Sequence, residues 1–172
     1  MNDSDLAKLI QETNQGEQNR YGDIEYKLPS SQRISNFEAI AKALATIDPK
    51  SKALNGLPSL IYWALCDEIT IVDACVSAFV PLADHPRVAE GFLKGLTPNL
   101  TLDFRHRFIA SILERVFTKG NLDQKSKSEL SFGGSWARLV IDAIGSWPVE
   151  EQITPSTQEL VTHGLQKLVG AN

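Results

Sequence analysis

Hydrophobic residues recur at helical spacing through most of the chain after residue 35. The clearest case is the segment 101–120, TLDFRHRFIASILERVFTKG, in which pairs of apolar residues return every four positions. The members of this stripe are Phe108, Ile109, Ile112, Leu113, Val116 and Phe117. This spacing is typical of an amphipathic helix with one buried face, and Gly120 stands where such a helix would end.

Five further segments carry a similar pattern. They run from Ser35 to about Ile47, from Pro58 to Phe79 or Val80, from Pro86 or Arg87 to Leu96, from Ser135 to about Ile144 and from about Ser156 to Val169. Ser35 and Glu38 have the spacing of a capping box. Gly91 and Gly95 are four residues apart and would let another helix approach closely. No segment after residue 36 alternates long enough for a strand, so we predict an all-α fold, a single compact domain of about six to seven helices.

The first 34 residues show a different pattern. Leu6, Leu9 and Ile10 suit a short helix capped by Ser4, but residues 11–23, QETNQGEQNRYGD, have no apolar period. Apolar residues then alternate at positions 24, 26 and 28, which is typical of an extended segment. We therefore predict a partly ordered N-terminal arm, 1–34, followed by a helical domain, 35–172.

Three prolines, Pro49, Pro98 and Pro148, are spaced 49 and 50 residues apart, and each follows a predicted helix. Divergent helix pairs of the HEAT type would produce such a spacing. Helices also commonly end before a proline, so three of them can coincide without a repeat.

Charge and cysteine content indicate which partners and which cell compartment to expect for this protein. The 172 residues include 17 Lys and Arg against 21 Asp and Glu, a formal net charge of −4, which argues against nucleic acid as a partner. The longest apolar stretch contains three carboxylates, so we expect no membrane span. Residues 1–20 lack the pattern of a secretory signal, and the two cysteines, Cys66 and Cys75, are predicted on opposite faces of one helix. Free thiols and no signal favour the cytoplasm.

No catalytic or cofactor signature is present. The three histidines, His85, His106 and His163, have no second ligand at metal-binding spacing, and His85 suits a polar loop position. Nucleotide-binding and serine-hydrolase motifs are missing as well. We therefore expect neither a cofactor nor a metal.

The long predicted helix from Pro58 carries one polar stripe. Asp67, Thr70, Asp73 and Ser77 fall within an arc of about 120°, while apolar residues cover most of the remainder. Carboxylates on a largely buried helix must be exposed or paired. Three interpretations remain open: a solvated strip, an acidic contact surface for a partner, and paired catalytic or metal-binding carboxylates.

The sequence DFRHRF contains a second polar cluster. Asp103 and Arg107 have the spacing of a helical ion pair. Arg105 projects toward the apolar stripe and must reach water or a carboxylate, for which Asp67 or Asp73 is the expected partner. An anion site formed by Arg105, His106 and Arg107 is the alternative.

The tripeptide Gly-Ser-Trp occurs twice between residues 133 and 148. Ser135 is predicted to cap a helix that opens at Trp136, and Gly145 is predicted to end it before Pro148. Trp136 and Trp147 would then lie on one face and join the core. An anion site at the glycine-rich start of this helix is the alternative.

These observations favour a small acidic helical module that binds another protein, with Asp67, Thr70, Asp73, Arg105, His106 and Arg107 as the candidate contact residues. One version is an immunity or antitoxin-type inhibitor of a basic partner. The alternatives are an enzyme with a site around Asp67, Asp73 and Arg105, and a structural subunit whose arm extends onto a neighbour. The sequence does not fix an oligomeric state.

Overall fold

The computed structural model describes residues 1–82, 85–110, 138 and 140–165. Within these ranges the chain is mostly helical, which confirms the all-α class. The helices are α1 (Asp3–Asn14), α2 (Ser30–Ala43), α3 (Leu57–Leu65), α4 (Ile69–Phe79), α5 (Pro86–Lys94), α6 (102–110), α7 (140–145), α8 (Val149–Gln152) and α9 (Pro155–Glu159), which continues as a π-helical turn (Leu160–Leu165). Two short 3-10 segments, Lys52–Leu54 and Val80–Leu82, lie beside α3 and α4 in the chain. None of the helices in these ranges is both long and apolar enough to cross a membrane.

Some predicted features lie outside the described residues. They are the continuation of the 101–120 helix beyond residue 110, the helix start at Ser135 with Trp136, and the end of the last helix at Val169. The side chain of His163 lies outside them as well.

Helix α1 and a β-hairpin occupy the segment predicted as an arm. The side chain of Asn2, rather than Ser4, caps α1 by accepting a hydrogen bond from the Asp5 amide at 2.8 Å. Leu6 and Ile10 are buried in the core. A buried hydrogen bond of 2.9 Å from the Asn36 side chain to the Thr13 hydroxyl also joins α1 to α2. Residues 1–34 therefore contribute apolar side chains to the same core as the later helices.

The hairpin consists of β1 (Gly16–Gln18) and β2 (Ile24–Tyr26), which pair antiparallel with Gly16 opposite Tyr26. The side chain of Asn19 accepts from the amides of Tyr21 and Asp23 and thereby organises the turn. Gly22 takes a φ of 87° there, a conformation that favours glycine. The predicted extended segment at residues 24–28 is thus confirmed for β2.

Helix α2 begins five residues before the predicted capping box, so that prediction is wrong. Pro29 takes an extended conformation as the N-cap, and its carbonyl accepts hydrogen bonds from the amides of Gln32 and Arg33. The helix therefore starts at Ser30, and Ser35 and Glu38 lie within it.

The single long helix predicted from Pro58 to Phe79 or Val80 is also wrong, because the chain breaks it into α3 and α4 at residues 66–68. Asp67 lies in the break. Its Oδ1 accepts from the Glu68 amide at 2.7 Å, and its Oδ2 accepts from Arg33. Aspartate side chains that bond nearby backbone amides compete with helical hydrogen bonds, which explains the break.

Helix α5 packs closely against two other helices. A Cβ added at Gly91 would lie 2.8 Å from Cβ of Ile61 in α3, and one added at Gly95 would lie 2.5 Å from the Phe108 ring in α6. The predicted close approach at both glycines is therefore confirmed. Val88, Phe92 and Leu96 are buried, and Leu93 is partly buried.

Trp147 attaches α7 and α8 to this core. The helix before it ends at residue 145 as predicted, and the indole is buried. Its Nε1 donates to the Leu96 carbonyl at 2.8 Å, so the expected core position of Trp147 is confirmed.

Candidate binding surface

An open groove of about 470 Å³ lies between α2 and α4. Ile34 and Glu38 line it from α2, and five residues line it from α4: Thr70, Asp73, Ala74, Ser77 and Ala78. The α4 residues follow the pattern i, i+3, i+4, i+7 and i+8, so they share one face of the helix. Among the residues that the structure describes, no lysine or arginine lines the groove.

Small side chains give the groove its width. Ala74 and Ala78 lie half-buried along it, and Thr70 and Ser77 are exposed. The two helices pack through larger residues elsewhere, including Phe37 and Phe79, whose ring centroids lie 6.0 Å apart in an edge-on arrangement. The sequence-predicted residues Thr70 and Asp73 therefore lie together, with the carboxylate of Glu38 on the opposite helix.

Asp67 belongs to an internal ion pair. Its Oδ2 lies 3.0 Å from the guanidinium of Arg33, whose side chain is buried. The Arg33 guanidinium stacks on Tyr26 of β2 at 3.5 Å from the ring centroid. Burial raises the pKa of the Tyr26 phenol, although the Arg33 charge opposes the rise. Asp67 therefore helps to hold the hairpin against α2 and the α3–α4 break.

Arg105 is buried and pairs with a carboxylate, but the partner is not the expected Asp67 or Asp73. Its guanidinium donates to Glu151 of α8 at 2.9 Å and to the Leu100 carbonyl at 3.1 Å. It also stacks on Trp147 at 4.6 Å from the ring. The hydrogen bond from Arg105 is the main cause that lowers the pKa of the Glu151 carboxyl.

The side chains of His106 and Arg107 contact different residues. The His106 Nε2 lies 2.7 Å from the Thr157 hydroxyl, and burial, together with the nearby Arg105, lowers the pKa of its ring. Arg107 is exposed and pairs with Asp103 at 2.6 Å, which confirms the predicted helical pair. The partners of the three consecutive side chains from Arg105 to Arg107 thus lie on α8, on α9 and on α6 itself.

The described thiols and histidines show no arrangement typical of nucleophilic or metal chemistry. Burial raises the pKa of both Cys66 and Cys75, which disfavours the reactive thiolate form. His85 caps α5 through its Nδ1. No group of three or more His, Cys, Asp or Glu side chains suited to a metal ion occurs in the part of the chain that the structure describes.

The sequence patterns do not identify three residues of the groove and the ion pairs. The pattern around Glu38 indicates only a helix cap. Glu151 lies 46 residues from its partner Arg105 in the sequence, and Arg33 lies 34 residues from its partner Asp67. Only Arg33 has a sequence pattern that indicates burial, because it precedes Phe37 by four positions on the buried face of α2.

The fold and the surface together define a small all-α protein with an acidic groove between two helices. Comparisons of the chain with protein-family models, with curated proteins and with solved structures find no match.

Proposed function

We propose that this protein is a small helical binding module, which acts through its surface rather than by catalysis and recognises a basic protein. The observation that carries the proposal is the groove between α2 and α4. Glu38 and Asp73 line its two sides, and the described part of the chain places no lysine or arginine along it.

Electrostatic complementarity gives such a surface its selectivity. A chain with a formal net charge of −4 attracts cationic surfaces at long range, and the groove places two carboxylates where a lysine or arginine side chain would enter. Charged partners steered in this way associate quickly, and the rate falls as salt screens the attraction. Binding should therefore weaken steeply with ionic strength.

The remaining candidate residues support the module differently. The charges of Asp67 and Arg105 are engaged in ion pairs with Arg33 and Glu151. These pairs fix the hairpin and the α6–α8 contact. Thr70 and Asp73 are the predicted residues that line the groove. We therefore assign the contact surface to the groove and a structural role to the pairs.

Inhibition of a basic enzyme or toxin, as by an immunity protein or antitoxin, is the form of binding that suits this module best. Its support is the small size, the acidic balance and a groove that a basic side chain can enter. Such an inhibitor needs no catalytic group of its own, only a complementary surface.

The test compares two variants of equal charge. Glu38→Lys with Asp73→Lys reverses the groove, while Glu17→Lys with Asp142→Lys reverses two exposed carboxylates on β1 and α7. Each pair adds four positive charges to the chain's −4, so both variants have a formal net charge of zero. Affinity capture from the cells that produce the protein, followed by mass spectrometry, is run with wild type and both variants.

We expect wild type and the β1–α7 variant to retain the same basic protein and the groove variant to lose it. Purified components then give the dissociation constant as a function of salt. Equal retention by the groove variant, or the retention of acidic proteins alone, would overturn the proposal.

A further inference from the structure

The imidazole of His85 caps the N-terminus of α5. Its Nδ1 accepts a hydrogen bond from the Arg87 backbone amide at 3.2 Å. A ring that accepts at Nδ1 is neutral and carries its proton on Nε2. Protonation places a second proton on Nδ1, and the ring then has no lone pair for the amide. The cap is therefore available only to the neutral histidine.

The surroundings of His85 also oppose a positive charge. The amide dipoles at a helix N-terminus favour anions and disfavour an imidazolium. Arg87 follows two residues later, and its guanidinium pairs with Glu90 at 3.1 Å. The neutral side chain of Asn55 accepts a further hydrogen bond from Arg87.

Two described elements lie beside this end of α5, and neither supplies a carboxylate that would compensate a charged ring. Helix α3 and the 3-10 turn Val80–Leu82 contain no charged residue. Asp84, the preceding residue in the chain, lies outside the described residues. Nε2 of His85 is buried and has no hydrogen-bond partner among the residues that the structure describes. Burial and the charge of Arg87 both lower the pKa of the His85 ring.

Helix α5 connects two parts of the molecule. Gly91 lies against Ile61 of α3, and Gly95 lies against the Phe108 ring of α6. Leu96, just beyond the helix, accepts the hydrogen bond of Trp147. Loosening the first turn of α5 would therefore affect the contact with α3 first.

We propose that His85 is an acid-sensitive cap, which holds the first turn of α5 against α3 at neutral pH and releases it when the imidazole becomes protonated. The device is independent of the groove between α2 and α4. Because the folded protein disfavours the protonated ring, the stabilising effect is complete above the pKa of an unfolded histidine. It is lost as the pH falls from about 6.5 through the lower pKa of the ring in the folded protein.

Hydrogen exchange at the backbone amides of α5 tests this device, measured at about pH 7.5 and about pH 5 and corrected for intrinsic exchange. The variants are His85→Asn, which caps at either pH, His85→Ala, which caps at neither, and His106→Gln, which removes the other histidine with a lowered pKa. We expect wild type and His106→Gln to lose about fivefold of their protection in the first turn at the lower pH. In His85→Asn the amides of the first turn should stay protected at the lower pH. In His85→Ala they should show the reduced protection at both pH values.

A histidine titration by NMR on the wild-type protein provides the second measurement. The loss of protection should follow the protonation of the His85 ring. An equal loss in His85→Asn, unchanged protection in wild type, or a loss that follows His106 instead would each overturn the proposal.

Discussion

The guanidinium of Arg105 lies 2.9 Å from the carboxylate of Glu151, although 46 residues separate them in the chain. The arginine is buried, and Trp147 covers it with the face of its indole. Arg33 repeats the arrangement with Asp67 and the ring of Tyr26. In both places a buried arginine joins segments that are distant in the sequence, and removal of either carboxylate leaves a buried charge without its counterion.

Replacing Glu151 by Gln should make stability less dependent on pH in the acid range. Arg105 lowers the pKa of the Glu151 carboxyl below the ordinary 4.5, so the folded state favours the ionised form. Its contribution is present above about pH 4.5 and is lost as the pH falls through the lower folded pKa. Unfolding curves should therefore show wild type more stable than Glu151→Gln at neutral pH, with the difference shrinking toward about pH 3. A difference that grows in acid would contradict this assignment.

Asp67→Ala and Asp73→Ala should have different effects on stability, because Asp67 pairs with buried Arg33 and Asp73 lines the groove. Asp67→Ala leaves Arg33 buried without its ion pair and should lower the free energy of unfolding by about 2–3 kcal/mol. Asp73→Ala, on the half-exposed groove face of α4, should change it by less than about 1 kcal/mol. Urea denaturation measures both values, and equal losses for the two variants would show that Asp73 is structural too.

Gly91→Ala should destabilise the α3–α5 contact. The new Cβ would lie 2.8 Å from Cβ of Ile61, an atom that cannot move without the backbone of α3, and we expect a loss of about 1–3 kcal/mol. Gly145→Ala is the control, because no described residue outside its own helix and its chain neighbours lies within 4 Å of a Cβ added there. Thermal unfolding should show a lower midpoint for the first variant and an unchanged or higher one for the second. A neutral Gly91→Ala would mean that the two helices are further apart.

Periodic patterns predicted the elements that local physics determines. The close approach at Gly91, the stop at residue 145 and the core position of Trp147 all follow from spacing, glycine and proline within one segment. The class of fold followed from the same patterns, because nearly every apolar stripe has helical spacing.

The long-range pairings could not be predicted in the same way. The apolar pattern from residue 58 to residue 79 predicted one helix. It does not show that Asp67 binds the Glu68 amide at the break and is held there by Arg33 of another helix. Likewise, the position of Arg105 beside an apolar stripe predicted a carboxylate partner but not which one. Glu151 lies in α8, a four-residue helix too short to leave a periodic signal. The groove itself arises where α2 and α4 pack, so its two sides come from separate parts of the sequence.

The groove is tested most directly by an amide-resolved NMR titration. The probe is a synthetic amphipathic helical peptide with lysines at i and i+4 positions, and the matched control peptide carries glutamates at those positions. We expect the lysine peptide to shift resonances around Ile34, Glu38, Thr70, Asp73 and Ser77, with affinity that falls as salt is added. The variant Glu38→Lys with Asp73→Lys should lose these shifts, and the variant Glu17→Lys with Asp142→Lys should keep them. Shifts scattered over the surface, or shifts that persist in the groove variant, would contradict the assignment of the groove as the binding surface.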